Sequence, residues 1–294
     1  MGNNPHLGFI GIGLMGAAMS LRLLERGWDL TVWNREPSRL APVLAAGARA
    51  AGSPREVAES CEIVLMCVLH TEAVADCVWG EDGVAAAASG AGLVIDHSTI
   101  DPAATRDFAA RLKGRTGAGW VDAPVSGGPV AARAGSLTIM LGAEPEDMAH
   151  AAPVLADLAS NVTRMGGVGA GQLTKLVNQA IVGSGFVLMA EALRLAEAAG
   201  IDAAAMPGCL AGGLADSALL QRIYPQMQAR AFDPPLSYAR QLLKDMKAVT
   251  GAAQALDLTL PMVETACRRY ADYVGLGNEL VDSASIIRLY EAGS

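Results

Sequence analysis

The chain predicts an α/β domain on a doubly wound, mostly parallel sheet, followed by an all-α domain that a long interdomain helix joins to it. Three observations predict this. Short apolar runs alternate with helical stretches through the first half of the 294 residues. A glycine-rich turn directly follows the first of those runs, and strand signals stop at about Gly169. Short continuous apolar strands separated by helices mark a mostly parallel sheet covered on both faces.

In order, the strand candidates are Leu7–Ile12, Leu30–Trp33, Ile63–Val68, Leu93–Asp96, Trp120–Val121 and Leu137–Leu141. Helical patterns fall between them near Met15–Arg26, Pro37–Ala46, Pro54–Ser60, Thr71–Trp79, Pro102–Leu112 and Pro145–Leu158. Ser53-Pro54 and Asp101-Pro102 each read as an N-cap followed by proline at the first helical position. The Ala-rich stretch 84–91 reads as a loop. Met165-Gly166-Gly167-Val168-Gly169 marks a boundary between domains at 1–165 and 166–294. Beyond it a long helix is expected from about Gln172 to Ala199, stopped by Gly200. Further helices are expected at about Leu236–Ala255, Pro261–Tyr273 and Val281–Glu291.

Composition sets outer limits. With 52% hydrophobic and 18% charged residues, a large core is expected and disorder is not. The net charge of −8 argues against nucleic acid as a partner. Cys61, Cys67, Cys77, Cys209 and Cys267 are scattered without a CxxC pair, which fits reduced thiols of the cytoplasm. The four histidines are dispersed, so no metal site is expected. No basic stretch precedes an apolar segment at the N-terminus, so no signal peptide is read. The apolar stretch Ala180–Ala190 is too short to span a bilayer and reads as a buried helix, so no membrane partner is expected.

Gly11-Ile12-Gly13-Leu14-Met15-Gly16 lies between a strand and a helix, the context in which GxGxxG cradles a dinucleotide pyrophosphate. Gly11 permits the tight turn, Gly13 lets the backbone reach the phosphates, and Gly16 lets helix and strand pack closely. About twenty residues on, the second strand ends in Val32-Trp33-Asn34-Arg35. No carboxylate stands there to favour the ribose hydroxyls of NAD. Arg35 can pair with a 2′-phosphate and Asn34 can hydrogen-bond it, which predicts NADP(H), with NAD(H) possible. Glu36 is a nearby opposing charge.

Three further segments complete the picture. Asp122-Ala123-Pro124-Val125-Ser126-Gly127-Gly128 follows a strand. Its Ser126, Gly127 and Gly128 can converge N–H groups and a hydroxyl on a carboxylate, and they read equally as a plain turn. Gly169-Ala170-Gly171-Gln172-Leu173-Thr174-Lys175-Leu176-Val177-Asn178 opens the long helix. Lys175 and Asn178 are three apart and share a face. The helix N-terminus is expected to lower the lysine pKa toward neutrality. Apolar neighbours set Lys175 apart from an ordinary solvated lysine. Lys244-Asp245 lies within a late helix, where such a pair is usually surface charge.

In this order the four segments closely resemble the β-hydroxyacid dehydrogenase family, and the resemblance covers nearly the whole chain. It implies hydride transfer between a short hydroxy acid and nicotinamide, with Lys175 exchanging the hydroxyl proton. Ser126, Gly127 and Gly128 would anchor the substrate acid group, and Asn178 would hold its carboxylate or hydroxyl. Val68 and Leu69 would line the adenosine side, where His70 replaces a proline common in the family. Thr99, with Ser98, would lie near the nicotinamide, although the pair reads equally as an N-cap for the helix at Pro102. Lys244 would reach the cofactor across the domain seam, oriented by Asp245. The family also implies a homo-dimer or homo-tetramer. Imine reductases share the glycine turn and the Trp-Asn-Arg strand end, but usually lack the lysine. A 6-phosphogluconate dehydrogenase would be longer and richer in cations. A non-enzymatic dinucleotide-binding module would lack the lysine. Arg133, Pro129, Phe232 and Asp233 are open candidates for the far side of the substrate.

Overall fold

Short, mostly apolar runs of four residues form the strands β1 (Leu7–Ile10), β2 (Leu30–Trp33), β4 (Ile63–Met66), β5 (Leu93–Asp96) and β6 (Gly119–Asp122). The two-residue β3 (Arg49–Ala50) lies between β2 and β4 in sequence. In the computed structural model, which describes residues 5–291, these six strands pair in parallel. The path of the sheet is β3-β2-β1-β4-β5-β6, continued by β8 (Leu137–Gly142) and β7 (Val125–Ser126). β8 runs antiparallel to both β6 and β7, and β9 (Ala159–Gly166) pairs parallel to β8.

Side chains alternate across each strand, so a continuous apolar run feeds two cores. Phe9, Leu65, Ile95 and Val121 enter one core beneath α1 (Leu14–Glu25) and α7 (Pro145–Leu158). Ile10, Val64, Met66, Val94 and Trp120 enter the other, with α3 (Pro54–Ser60), α4 (Thr71–Trp79) and α5 (Pro102–Thr116). Ser53 and Asp101 cap α3 and α5 as expected, accepting from the N–H groups of Glu56 and Ala104. The expected helix at Pro37–Ala46 is a 3₁₀ turn, Pro37–Leu40, followed by the short α2 (Ala41–Ala45). The 84–91 stretch is irregular apart from one 3₁₀ turn, Val84–Ala86. A short α6 (Gly128–Ala134) stands where no helix was read.

By compactness the chain divides into Met1–Lys175 and Leu176–Ser294, a division that falls inside α8 (Ala170–Ala198). The first turn of α8 is held by the sheet unit, as described below. α8 has 29 residues, so its apolar part is long enough to cross a membrane by length and composition, contrary to the short stretch read from the sequence. One side of it is core: Phe186, Val187, Ala190 and Leu193 are buried in the second unit. The other helices of that unit are α9 (Met206–Leu210), α10 (Ala218–Gln228), α11 (Ala239–Ala255) and α12 (Pro261–Gly275). A Cβ on Gly183 would lie 2.1 Å from Met246 Sδ, so α8 and α11 meet closely there. The expected terminal helix is a 3₁₀ segment, Ser283–Tyr290, with Asp282 as its N-cap. The Asp282 carboxylate accepts from the N–H groups of Leu236 and Ala284.

Candidate active site

The turn after β1 is shaped by its glycines. Gly11 takes φ +97°, and a Cβ there would sit 2.4 Å from Cys67 O. A Cβ on Gly16 would sit 1.9 Å from Gly11 O, so these two positions tolerate no side chain. Gly13 is different: an added Cβ would meet nothing within 4 Å. Its backbone therefore faces open space at the start of α1. No side chain caps that helix, and no acid stands in its first turn, formed by Leu14, Met15 and Gly16. Uncapped N–H groups under an open cradle fit a dinucleotide phosphate.

Asn34, expected to face a phosphate, is turned onto the loop. Its Oδ1 accepts from Ile12 N at 2.9 Å and its Nδ2 donates to Glu36 O at 2.9 Å. A short amide at the strand end can reach the neighbouring turn, and an N–H left unmet there would be costly. Glu36 pairs with Arg39 at 2.7 Å, and Arg35 is exposed. Hydrogen bonding from Arg39 holds the Glu36 carboxyl below its usual range.

The ends of β4 and β5 are tied together. Val68 N donates to Ser98 Oγ at 2.9 Å, and Ser98 N donates to Asp96 Oδ1 at 2.9 Å. Ser98 therefore serves the loop, while Asp101 caps α5. Leu69 is partly exposed, and His70 caps α4 by accepting from Ala73 N at 3.1 Å. The residue in the family's proline position thus has a structural task. His97 is fully buried, and its Nδ1–H donates to Ala123 O at 2.7 Å. Burial holds its pKa down at about 4.

Lys175 lies in the second turn of α8, only 8% exposed, and its Nζ donates to Val125 O at 2.9 Å. The ammonium therefore sits beside the residue that precedes Ser126-Gly127-Gly128. Gly127 and Gly128 have φ values of +128° and +73°, conformations that favour glycine. A Cβ on Gly128 would meet nothing within 4 Å, so that backbone is open to approach. Asp122, at the end of β6, receives Gly169 N at 2.7 Å and Gln172 N at 2.9 Å. Burial raises its pKa, against the lowering effect of these backbone bonds. Arg133 is committed to an ion pair with Glu25 that ties α6 to α1.

In the second unit, Asn178 Nδ2 donates to Gln179 Oε1 at 2.8 Å, and Gln179 Nε2 donates to Asp245 Oδ2 at 2.7 Å. Lys244 Nζ lies 2.9 Å from Asp245 Oδ1, so this pair is more than scattered surface charge. Sequence reasoning missed Asp122, Gln172, Gln179 and His97. A polar residue closing an apolar strand was the available signal for Asp122 and, one residue past β5, for His97. Among the described residues, no group of three or more His, Cys, Asp or Glu gathers to hold a metal ion. The five cysteines are free thiols, and burial pushes Cys77 up to about 12.

Residues 6–167 match the family model for the NAD binding domain of 6-phosphogluconate dehydrogenase. Residues 169–290 match that for the NAD-binding domain of NADP-dependent 3-hydroxyisobutyrate dehydrogenase. The 2-hydroxy-3-oxopropionate reductase of Escherichia coli is 33% identical over 285 residues, covering 97% of both chains. The crystal structure of 3-hydroxyisobutyrate dehydrogenase from Salmonella typhimurium superposes with a TM-score of 0.88 at 30% identity, covering 97% of this chain and 100% of that one. The Mycobacterium tuberculosis 3-hydroxyisobutyrate dehydrogenase, solved with L-serine, gives 0.85 at 26% identity over 97% and 99% of the two chains. With an open glycine cradle and a buried lysine beside a glycine loop, the chain belongs to the β-hydroxyacid dehydrogenase family and is an NAD(P)-dependent oxidoreductase.

Proposed function

We propose that this enzyme interconverts a short β-hydroxy acid and its semialdehyde or keto form, with Lys175 as general acid and base and NADP(H) as the preferred cofactor. The observation that carries the reading is the Lys175 ammonium, buried and 2.9 Å from Val125 O, at the root of the Ser126-Gly127-Gly128 loop. When bound, the nicotinamide supplies or accepts the hydride. Lys175 gives its proton to the carbonyl oxygen during reduction and takes the hydroxyl proton during oxidation. Ser126, Gly127 and Gly128 receive the substrate carboxylate through hydroxyl and N–H donors. Asn178, three residues past Lys175 on α8, holds the carboxylate or hydroxyl.

Gly11 to Gly16 receive the pyrophosphate, and Val68, Leu69 and Thr99 line the cofactor. Arg35 pairs with the 2′-phosphate, while Asn34 shapes the loop beneath it. Lys244 is a further cofactor-binding cation. A carboxylate substrate is supported by the serine complex of the Mycobacterium relative. A homo-oligomer is supported by the exposed apolar stripe of α8, with Val177, Ile181, Leu188 and Leu195 each more than half exposed.

Lys175→Ala tests the reading. Loss of general acid–base help lowers turnover by ~10²–10⁴-fold, about 3–5 kcal/mol of barrier, while NADP(H) binding persists. Near-normal turnover in the variant ends the assignment. A screen of small hydroxy acids against cyclic imines, with NADP(H) and NAD(H), separates this reading from imine reduction.

A further inference from the structure

Gln172 has no place in the chemistry above, yet it is 0% exposed and uses both ends of its amide. Its Nε2 donates to Ser98 O at 2.8 Å, and its Oε1 accepts from Ile100 N at 3.1 Å. The amide therefore grips the backbone on either side of Thr99. Its own backbone N–H goes to Asp122 Oδ2 at 2.9 Å, and the other oxygen of that carboxylate holds Gly169 N. The same web reaches the β4 end, because Val68 N donates to Ser98 Oγ. Three residues on, the same side of α8 presents Lys175.

The chemistry of the grip is restrictive. At neutral pH an amide side chain offers one donor and one acceptor on a single planar group to a backbone C=O and N–H together. Asparagine is one methylene short. An apolar residue of the same length would leave Ser98 O and Ile100 N unpaired, in residues that are themselves buried. A grip of this kind transmits position, since neither loop nor helix can shift without breaking buried bonds.

We propose that Gln172 is a positioning residue that fixes the distance between the Thr99 loop and the Lys175 amine, with Asp122 anchoring the helix turn that carries both. The inference rests on the reading of Lys175 as acid and base and of Thr99 as a cofactor-lining residue. Its effect is on the rate of proton and hydride transfer, because a misplacement of about 1 Å in a reacting pair costs on the order of 10²-fold.

The test compares Gln172→Met, Gln172→Glu and Lys175→Ala with the wild-type enzyme. Amide hydrogen exchange is measured first, without cofactor. The Ile100 N–H exchanges about tenfold faster in Gln172→Met, the loss of one buried hydrogen bond. In steady-state assays kcat of Gln172→Met falls by on the order of 10²-fold, while the NADP(H) Kd and the substrate KM stay within about threefold. In Gln172→Glu a carboxylate repels Ser98 O, but the protonated acid restores both bonds. Its kcat relative to wild type therefore rises as the pH falls. Unchanged kcat in Gln172→Met, or a loss of kcat matched by an equal loss of cofactor affinity, overturns the proposal. If Gln172→Met does not fold, a flat relative pH profile in Gln172→Glu overturns it. Lys175→Ala separates the two readings: full turnover there removes the lysine chemistry, whereas a slow Lys175→Ala beside a fast Gln172→Met removes only the grip.

Discussion

Acid should loosen this protein through one histidine before its carboxylates matter. His97 is 2% exposed, one residue past β5, and burial alone accounts for its low proton affinity. Unfolded, the side chain titrates near 6.5, and folded it titrates at about 4. Between those values the unfolded chain binds the proton and the folded chain does not, so stability falls as the pH drops. The difference amounts to about 3 kcal/mol, lost progressively across that window and constant below it. Four other groups bound the comparison. His6 is lowered by burial and contributes in the same direction. Asp122 is raised by burial, so its folded form takes the proton first and it gains stability as the pH falls. Glu25 and Glu36 are lowered by hydrogen bonds from Arg133 and Arg39, and their contribution is lost as the pH falls from 4.5. All of these are common to wild type and His97→Gln, whose amide can still donate to Ala123 O. Urea midpoints from pH 7.5 to 4 at constant ionic strength should give a steeper decline in the wild type. Parallel curves for the two proteins would refute the account of His97 as a buried neutral imidazole.

Two further predictions concern the cofactor. Gly13→Ala should melt like the wild type, because its Cβ meets nothing within 4 Å, yet bind NADP(H) at least tenfold more weakly. Gly16→Ala forces a Cβ to within 1.9 Å of Gly11 O and should also lose about 1–3 kcal/mol of stability, so thermal melts and titrations tell the two glycines apart. Arg35→Ala should narrow the ratio of NADP⁺ to NAD⁺ kcat/KM by about tenfold or more, the worth of a charge-assisted bond. An unchanged ratio would put the 2′-phosphate elsewhere.

The sheet core was legible because each central strand is a short, mostly apolar run, although β1 and β4 end two residues before the expected Ile12 and Val68, and Ser53-Pro54 and Asp101-Pro102 announced two helices correctly. β9 was not legible. Ser160, Asn161, Thr163 and Arg164 leave only Val162 and Met165 as apolar residues between them, too few to mark a strand, and all six are exposed. Its register comes from β8, a tertiary effect that no local pattern carries. α10 was hidden by Pro225 inside it, a residue that ordinarily argues against helix. The final segment is buried without a break from Ser283 to Ile287 and is wound as 3₁₀, so its burial does not follow the one-sided pattern of an α-helix. Within the candidate site, the glycines and Lys175 were visible as a motif. The partners of Asn34 were invisible, because its spacing from the glycines is the same whether its amide meets a phosphate or Ile12 N.

That ambiguity has a common physical source. In an open parallel sheet, the ligand crevice lies outside the carboxyl ends of the strands. The loops there must leave the sheet with backbone N–H groups that no neighbouring strand can receive. This chain meets several of them with short polar side chains placed at or just beyond a strand end. Asn34 takes Ile12 N, Asp96 takes Ser98 N, Ser98 takes Val68 N, and Asp122 takes Gly169 N and Gln172 N. Each such group orders the loop that would face the cofactor or carry the lysine. A polar residue closing an apolar strand is therefore first a loop fastener. Asn34 illustrates it, with its Oδ1 engaged by Ile12 N, while a Cβ on Gly13 beside it would meet nothing within 4 Å.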